Sequence, residues 1–203
     1  MKADVLTGGF NDAAKESANA FRVMLDALSR PGTVQKIPDY IKPPAPLSSN
    51  TAAVLLTLVD HDTSLWLAPE MDNEAVKRFL QFQTGVQLVS EPSAADFALV
   101  SSTDILSFDN FSIGTAEYPD RSATLIIQIE KSGNAMPVRF SGPGVKSSQD
   151  FNANGLGETF WKQVQQNNKC FPLGLDFMFC LSEGIAACPR STTVTINELV
   201  PCM

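Results

Sequence analysis

Between Thr51 and Val100 the hydrophobic period switches repeatedly between that of a helix and that of a strand. "TAAVLLTLV" is apolar on every side and reads as a buried helix, "SLWLA" as a strand, and "DNEAVKRFLQF" as an amphipathic helix with Val76, Phe79 and Leu80 turned inward. The strands "VQLV" and "FALV" follow. Strands linked through helices pair in parallel and need apolar cover, so this stretch predicts an α/β fold, a sheet with helices on both faces.

Downstream the pattern changes. "ATLIIQIE" and "MPVRFS" are strong strand sequences separated only by Lys131 to Ala135, with a Ser-Gly-Asn turn, and that spacing predicts a hairpin. An amphipathic helix is expected from Glu158 to Gln166. "LDFMFC", the turn "LSEG" and "IAAC" predict a second hairpin, and "TVTI" is expected to close the sheet. The expected sheet is therefore mixed.

At the other end, Ala14, Phe21, Met24, Leu25 and Leu28 return at helical spacing between Asn11 and Leu28, with Asn11 as the expected N-cap. "SRPG" ends this helix, because Pro31 biases Arg30 out of the helical region. A short extended piece, Val34 to Ile37, leads into "PDYIKPPAP", whose prolines forbid regular pairing and predict an extended surface strap. The whole chain, 1–203, reads as a single domain in which residues 1–46 form a helical arm and Pro-rich strap.

With 203 residues and 44% hydrophobic composition the chain can bury a sizeable core. Its net charge of −7 provides no electropositive field for nucleic acid or an anionic membrane. Neither a signal peptide nor a membrane span is legible, so a cytoplasmic location is expected. Cys170, Cys180, Cys188 and Cys202 form no C-x-x-C pair, and the sole histidine is His61, so no metal site is expected.

Three short motifs bear on chemistry. "FSGPGVK", Phe140 to Lys146, has the glycines and lysine of a phosphate cradle but not its spacing, and Pro143 removes one N–H donor. Gly142 and Gly144 are read instead as a turn that another chain or a ligand approaches closely. "DHDT" places Asp60, His61 and Asp62 together, either as a Mg²⁺ or proton-transfer group or as an Asx-type turn. On an extended chain His61 points away from both aspartates. "CPRST" displays Arg190 beside Ser191 and Thr192, a candidate grip on a phosphate or a partner's carboxylate, the alternative being an arginine in solvent or paired to an aspartate. There is no G-x-S-x-G elbow, and none of the nine lysines sits in a Schiff-base context, so no pyridoxal phosphate is expected.

Taken in order, "FRVMLDALSRPG", "VLLTLVDHDT", "IGTA", "ATLIIQI", "FSGPGV", "FPLGLDFMF" and "PRST" resemble the PhnH family, a subunit of the bacterial carbon-phosphorus lyase system. The resemblance runs from Phe21 to Ile196. It implies a three-layer α/β/α sandwich related to the main domain of pyridoxal-phosphate-dependent transferases but lacking the cofactor. It further implies a homodimer in isolation and, in the cell, a complex with PhnG, PhnI, PhnJ and PhnL. The complex would replace the adenine of ATP with a phosphonate on the ribose, and the ligands expected within it are ATP or a phosphonate. The leading expectation is a structural and binding subunit. Two others stand beside it: an inter-subunit nucleotide-phosphate site drawing on Arg190, Asp60 and Asp62, and a stand-alone small-molecule transferase.

Overall fold

The computed structural model describes residues 7–39, 41–102, 107–130, 133 and 135–196. Its centre is a six-stranded sheet built from β1 (Ser64–Leu67), β2 (Gln87–Val89), β3 (Phe97–Ser101), β4 (Thr124–Gln128), β7 (Asp176–Leu181) and β8 (Gly184–Cys188). The spatial order is β2-β1-β3-β4-β7-β8. All neighbours run parallel except the β7–β8 hairpin, which is antiparallel and turns at Leu181 and Gly184. The sheet is thus mixed, as expected, and its amino ends, Ser64, Phe97, Thr124 and Asp176, lie along one edge.

Period-two alternation divides the strands between two cores. Leu65, Leu67, Leu99, Ile126, Met178 and Ile185 face a cluster shared with helices α1 (Ala13–Ser29), α2 (Ser49–Leu58) and α3 (Glu74–Thr84). Val100, Leu125, Ile127, Phe177 and Phe179 face a second cluster with α4 (Glu158–Lys169). Burial on both faces explains why these strands read as nearly continuous apolar runs. Val76, Phe79 and Leu80 are all buried, as their spacing requires.

The opposite layer also contains a small antiparallel sheet of order β6-β5-β9, from β5 (Val138–Ser141), β6 (Gln149–Phe151) and β9 (Thr193–Ile196). This corrects two expectations. "ATLIIQIE" and "MPVRFS" do not form a hairpin, because β4 already has β3 on one side and β7 on the other and has no free edge. "TVTI" closes the small sheet rather than the large one. Phe140 and Phe151 instead cover the large sheet, with Phe151 5.1 Å from Phe179 and Phe140 5.8 Å from Trp161, ring centre to ring centre. Of the segment expected to turn the hairpin, residues 131, 132 and 134 lie outside the described residues.

At the amino terminus Asp12, not Asn11, caps α1: its carboxylate accepts from the Lys15 backbone N–H at 3.2 Å, while the Asn11 N–H donates to Glu16. The face this helix buries is Ala20, Met24 and Ala27. Phe21 and Leu25, of the apolar set that marked the helix, are 45% and 48% exposed.

The strap is more than surface. Ile37 and Ile41 are buried in the helical-side core, and Gln35 exchanges backbone hydrogen bonds with Ile185 at 2.7 and 2.8 Å. The strap thereby covers the outer edge of β8.

Candidate functional site

At the amino edge of the sheet, three motifs separated in sequence come together. Arg190 follows β8 and Asp176 opens β7, so the hairpin itself delivers them to one place. Arg190 Nε donates to both carboxylate oxygens of Asp176 at 3.2 and 3.1 Å, and the Arg190 backbone N–H donates to Oδ1 at 2.7 Å. Nη1 donates to the Pro119 carbonyl at 2.7 Å, and Nη2 to Ser122 Oγ as well as Asp176. The two side chains are only 15% and 24% exposed. Its contacts to Asp176, Pro119 and Ser122 occupy all three guanidinium nitrogens, so Arg190 acts as an internal clamp that ties the 119–122 loop to the hairpin.

Ser191 is half-buried beside it. Thr192 is buried, its backbone N–H donating to the Pro189 carbonyl at 2.8 Å, and its hydroxyl faces the Cys188 thiol. Burial raises the Cys188 pKa beyond the ordinary thiol range and pushes Cys180 up to about 12. Both thiols are therefore held neutral.

The "FSGPG" segment packs onto this loop. Gly142 and Gly144 both have positive φ, and the Val145 N–H donates to the Gly142 carbonyl at 3.1 Å, closing a tight turn. A Cβ on Gly144 would sit 2.2 Å from the Ser29 carbonyl and 3.0 Å from Pro31, and one on Gly142 would sit 3.3 Å from the Ser191 carbonyl. The glycines are needed because "SRPG" and "CPRST" press against this turn from two sides. Lys146 is exposed.

Asp60 and Asp62 lie on the same edge but not at this cluster. Asp60 Oδ1 accepts from the Asp62 N–H at 3.0 Å, and the Asp60 N–H donates to Thr63 Oγ1 at 2.8 Å, which is an Asx-type turn. His61 does not point away from both aspartates, because the chain turns here: its Nε2 lies 3.4 Å from Asp62, with both side chains in solvent. This turn precedes β1, three strand positions from β7, or about 14 Å at ordinary strand spacing. Among the described residues no group of three or more His, Cys, Asp or Glu is placed to hold a metal ion.

Sequence reasoning missed Asp176, Ser122 and Pro119. The available signal was an aspartate opening the apolar run "LDFMFC". It also missed the buried Gln128 at the carboxyl end of β4, whose amide accepts from the Ser48 N–H at 2.8 Å and donates to the Pro46 carbonyl at 3.0 Å. Beside it a cavity of about 220 Å³ is lined by Glu130, Asn152, Asn154, Ser182 and Glu183.

This arrangement defines a class, a mixed-sheet α/β protein whose loops at the amino edge are tied to one another by an arginine–aspartate pair. The bacterial phosphonate metabolism protein (PhnH) family matches residues 8–195, nearly the whole described fold, and the chain belongs to that family. It is 33% identical over 192 residues to the alpha-D-ribose 1-methylphosphonate 5-triphosphate synthase subunit PhnH of Rhizobium meliloti (strain 1021), covering 94% of this chain and 96% of that protein. It is 29% identical over 186 residues to a putative C-P lyase subunit, HtxG, of Stutzerimonas stutzeri, covering 91% and 88%.

Proposed function

We propose that this chain is a subunit of a carbon-phosphorus lyase complex in organic phosphonate catabolism. Its role there is to help transfer the ribose triphosphate moiety of ATP to an alkylphosphonate. Adenine leaves the ribose and a phosphonate oxygen takes its place. The observation that carries this reading is the match to the Rhizobium synthase subunit over 94% of this chain and 96% of that protein.

The role of the chain is structural and binding. Supporting this, Arg190 spends its hydrogen bonds inside the chain and the only histidine stands in solvent on a turn. The partners implied are a second copy in isolation and PhnG, PhnI, PhnJ and PhnL in the complex, in the cytoplasm, with no pyridoxal phosphate despite a layer order likened to the transferases that use it. No helix among the described residues is long and apolar enough to cross a membrane.

A second reading keeps Asp60 and Asp62 as contributors to an inter-subunit nucleotide-phosphate site through Mg²⁺, favoured by the 81% exposure of Asp62, which leaves it free to meet another chain. Stand-alone transferase activity has no comparable support.

The test is genetic and biochemical together. A strain lacking its own copy of this subunit, grown with methylphosphonate as sole phosphorus source, should regain growth when this chain is supplied with its partner subunits, and the tagged chain should co-purify with them. Growth restored without co-purification, or no growth with a folded and soluble chain, overturns the proposal.

A further inference from the structure

Ile41 and Leu47 are buried in the helical-side core, and between them the Pro-rich strap, residues 42–46, rises to half-buried and exposed positions. Pro43, Pro44 and Pro46 have no backbone N–H to bond. The Leu47 N–H is used inside the strap itself, on the Pro44 carbonyl at 3.1 Å. Gln128, the last residue of β4 and only 5% exposed, ties this segment to the sheet. Its Oε1 accepts from the Ser48 N–H at 2.8 Å and its Nε2 donates to the Pro46 carbonyl at 3.0 Å. The same Nε2 also donates to Glu130 Oε1 at 3.2 Å.

The place that the strap covers is set by the strand order. The Ala45 carbonyl meets Asn73 Nδ2, beyond the end of β1, at 3.5 Å, and Pro46 meets Gln128 at the end of β4. Strand β3 lies between β1 and β4, so the strap passes over the carboxyl end of β3. Two connections diverge there. The link from β1 to β2 runs through α3 on the helical face, while the link from β3 to β4 buries Phe108 and Phe111 on the opposite face. Such a divergence opens a crevice at the carboxyl ends of the strands, the place where open α/β sheets receive ligands.

We propose that the strap is a lid over this crevice, latched by Gln128, and that it opens as a local unit while the rest of the fold stays intact. Opening leaves little unpaired. The Pro46 carbonyl and the Ser48 N–H turn to water, the prolines have no N–H to lose, and Gln128 Nε2 keeps Glu130 as its acceptor. Ile41 and Leu47 remain in the core as the two anchors, so apolar burial is retained. A segment fastened this lightly belongs to the low-stability end of a fold, from which lids are drawn. What it uncovers is the Gln128 carboxamide beside Glu130, on the wall of the 220 Å³ cavity that Asn152, Asn154 and Ser182 also line. These amides, hydroxyl and carboxylate offer acceptors to the hydroxyl or ammonium groups of a ligand.

Hydrogen exchange of the isotope-labelled full chain, followed residue by residue by NMR from zero to about 1 M urea, tests the lid. The Ser48 N–H and the Gln128 side-chain N–H protons should exchange at rates that urea changes by less than about twofold, because a local opening exposes little surface. The Ile126 N–H, in the middle of β4, should exchange far more slowly and accelerate with urea. Gln128→Leu should raise the Ser48 rate at least about tenfold relative to Ile126 in the same protein, and the wild-type comparison decides the opening without it if this variant misfolds. A Ser48 rate that climbs with urea in step with Ile126 makes the strap a fixed part of the fold and overturns the proposal. Gln128 side-chain protons that stay protected while Ser48 exchanges show a fraying helix end and not a lid, which overturns it as well. Gln128→Leu that accelerates Ser48 and Ile126 equally refutes the latch.

Discussion

Arg190 and Asp176 stand at the open end of one β-hairpin, the guanidinium bound to both carboxylate oxygens while the Arg190 backbone N–H donates to one of them. The same arginine holds the Pro119 carbonyl and Ser122, so one side chain joins the hairpin to a loop some seventy residues earlier in the sequence. Removing it strips Asp176 of its counter-charge in a partly buried place.

Arg190→Ala is accordingly expected to lower stability by about 2–3 kcal/mol, below the cost of breaking a fully buried pair because both groups retain some solvent contact. Arg190→Lys should recover less than half of that, since an ammonium cannot reach Asp176, Pro119 and Ser122 with one planar fork. Urea denaturation of the two variants measures both effects. Equal midpoints for wild type and Arg190→Ala would show that the pair contributes nothing.

The turn at Gly144 offers a sharper steric test. Gly144→Ala sets a methyl 2.2 Å from the Ser29 carbonyl at a residue with φ of 78°, so the end of α1 must move. A loss of about 2 kcal/mol or more is expected, seen as a lower melting temperature. Gly157→Ala is the steric control: nothing lies within 4 Å of its Cβ, so no clash arises, and the loss is limited to the about 0.5–1 kcal/mol by which alanine caps α4 less well than glycine.

These contacts show what could be read in the sequence and what could not. The strands and helices from Thr51 to Val100 were legible because each carries its own period, and the β7–β8 hairpin because "LSEG" fits a two-residue turn. The pairing of β4 was not, since nothing local tells an apolar strand whether its neighbours come from before or after it. Phe21 and Leu25 show a related limit: spacing shows that a helix face is apolar, not whether its cover comes from the same chain. At the site, the structure realises the alternative reading of "CPRST", Arg190 paired to an aspartate, and that partner, Asp176, is set by strand register, which a linear reading does not contain.

The neutral thiols make a prediction about reactivity. Cys180 and Cys188 are buried with raised pKa values, whereas Cys170 is exposed. An alkylating reagent at pH 8 should modify Cys170 in the native protein and leave Cys180 and Cys188 untouched until denaturant is added, as peptide mass spectrometry will show. Modification of Cys188 at a rate matching Cys170 would mean that the hairpin opens readily.

The same thiols carry a pH dependence whose sign can be worked out. Their ordinary pKa is 9.0, and burial raises it in the folded state, to about 12 for Cys180 and further for Cys188. Between these limits the unfolded chain has lost two protons that the native chain still binds, so each unit of pH shifts the equilibrium toward unfolding. The stabilisation is complete below pH 9 and is lost as pH rises toward 12. Replacing Cys180 and Cys188 together by alanine removes this dependence at some cost in packing. The urea midpoint of wild type should therefore fall more steeply from pH 8.5 to 10.5 than that of the double variant, while the difference between the two proteins stays constant from pH 7 to 8. Parallel curves across the whole range would show that these thiols ionise in the native state as freely as in the unfolded one, and would contradict their placement against the sheet.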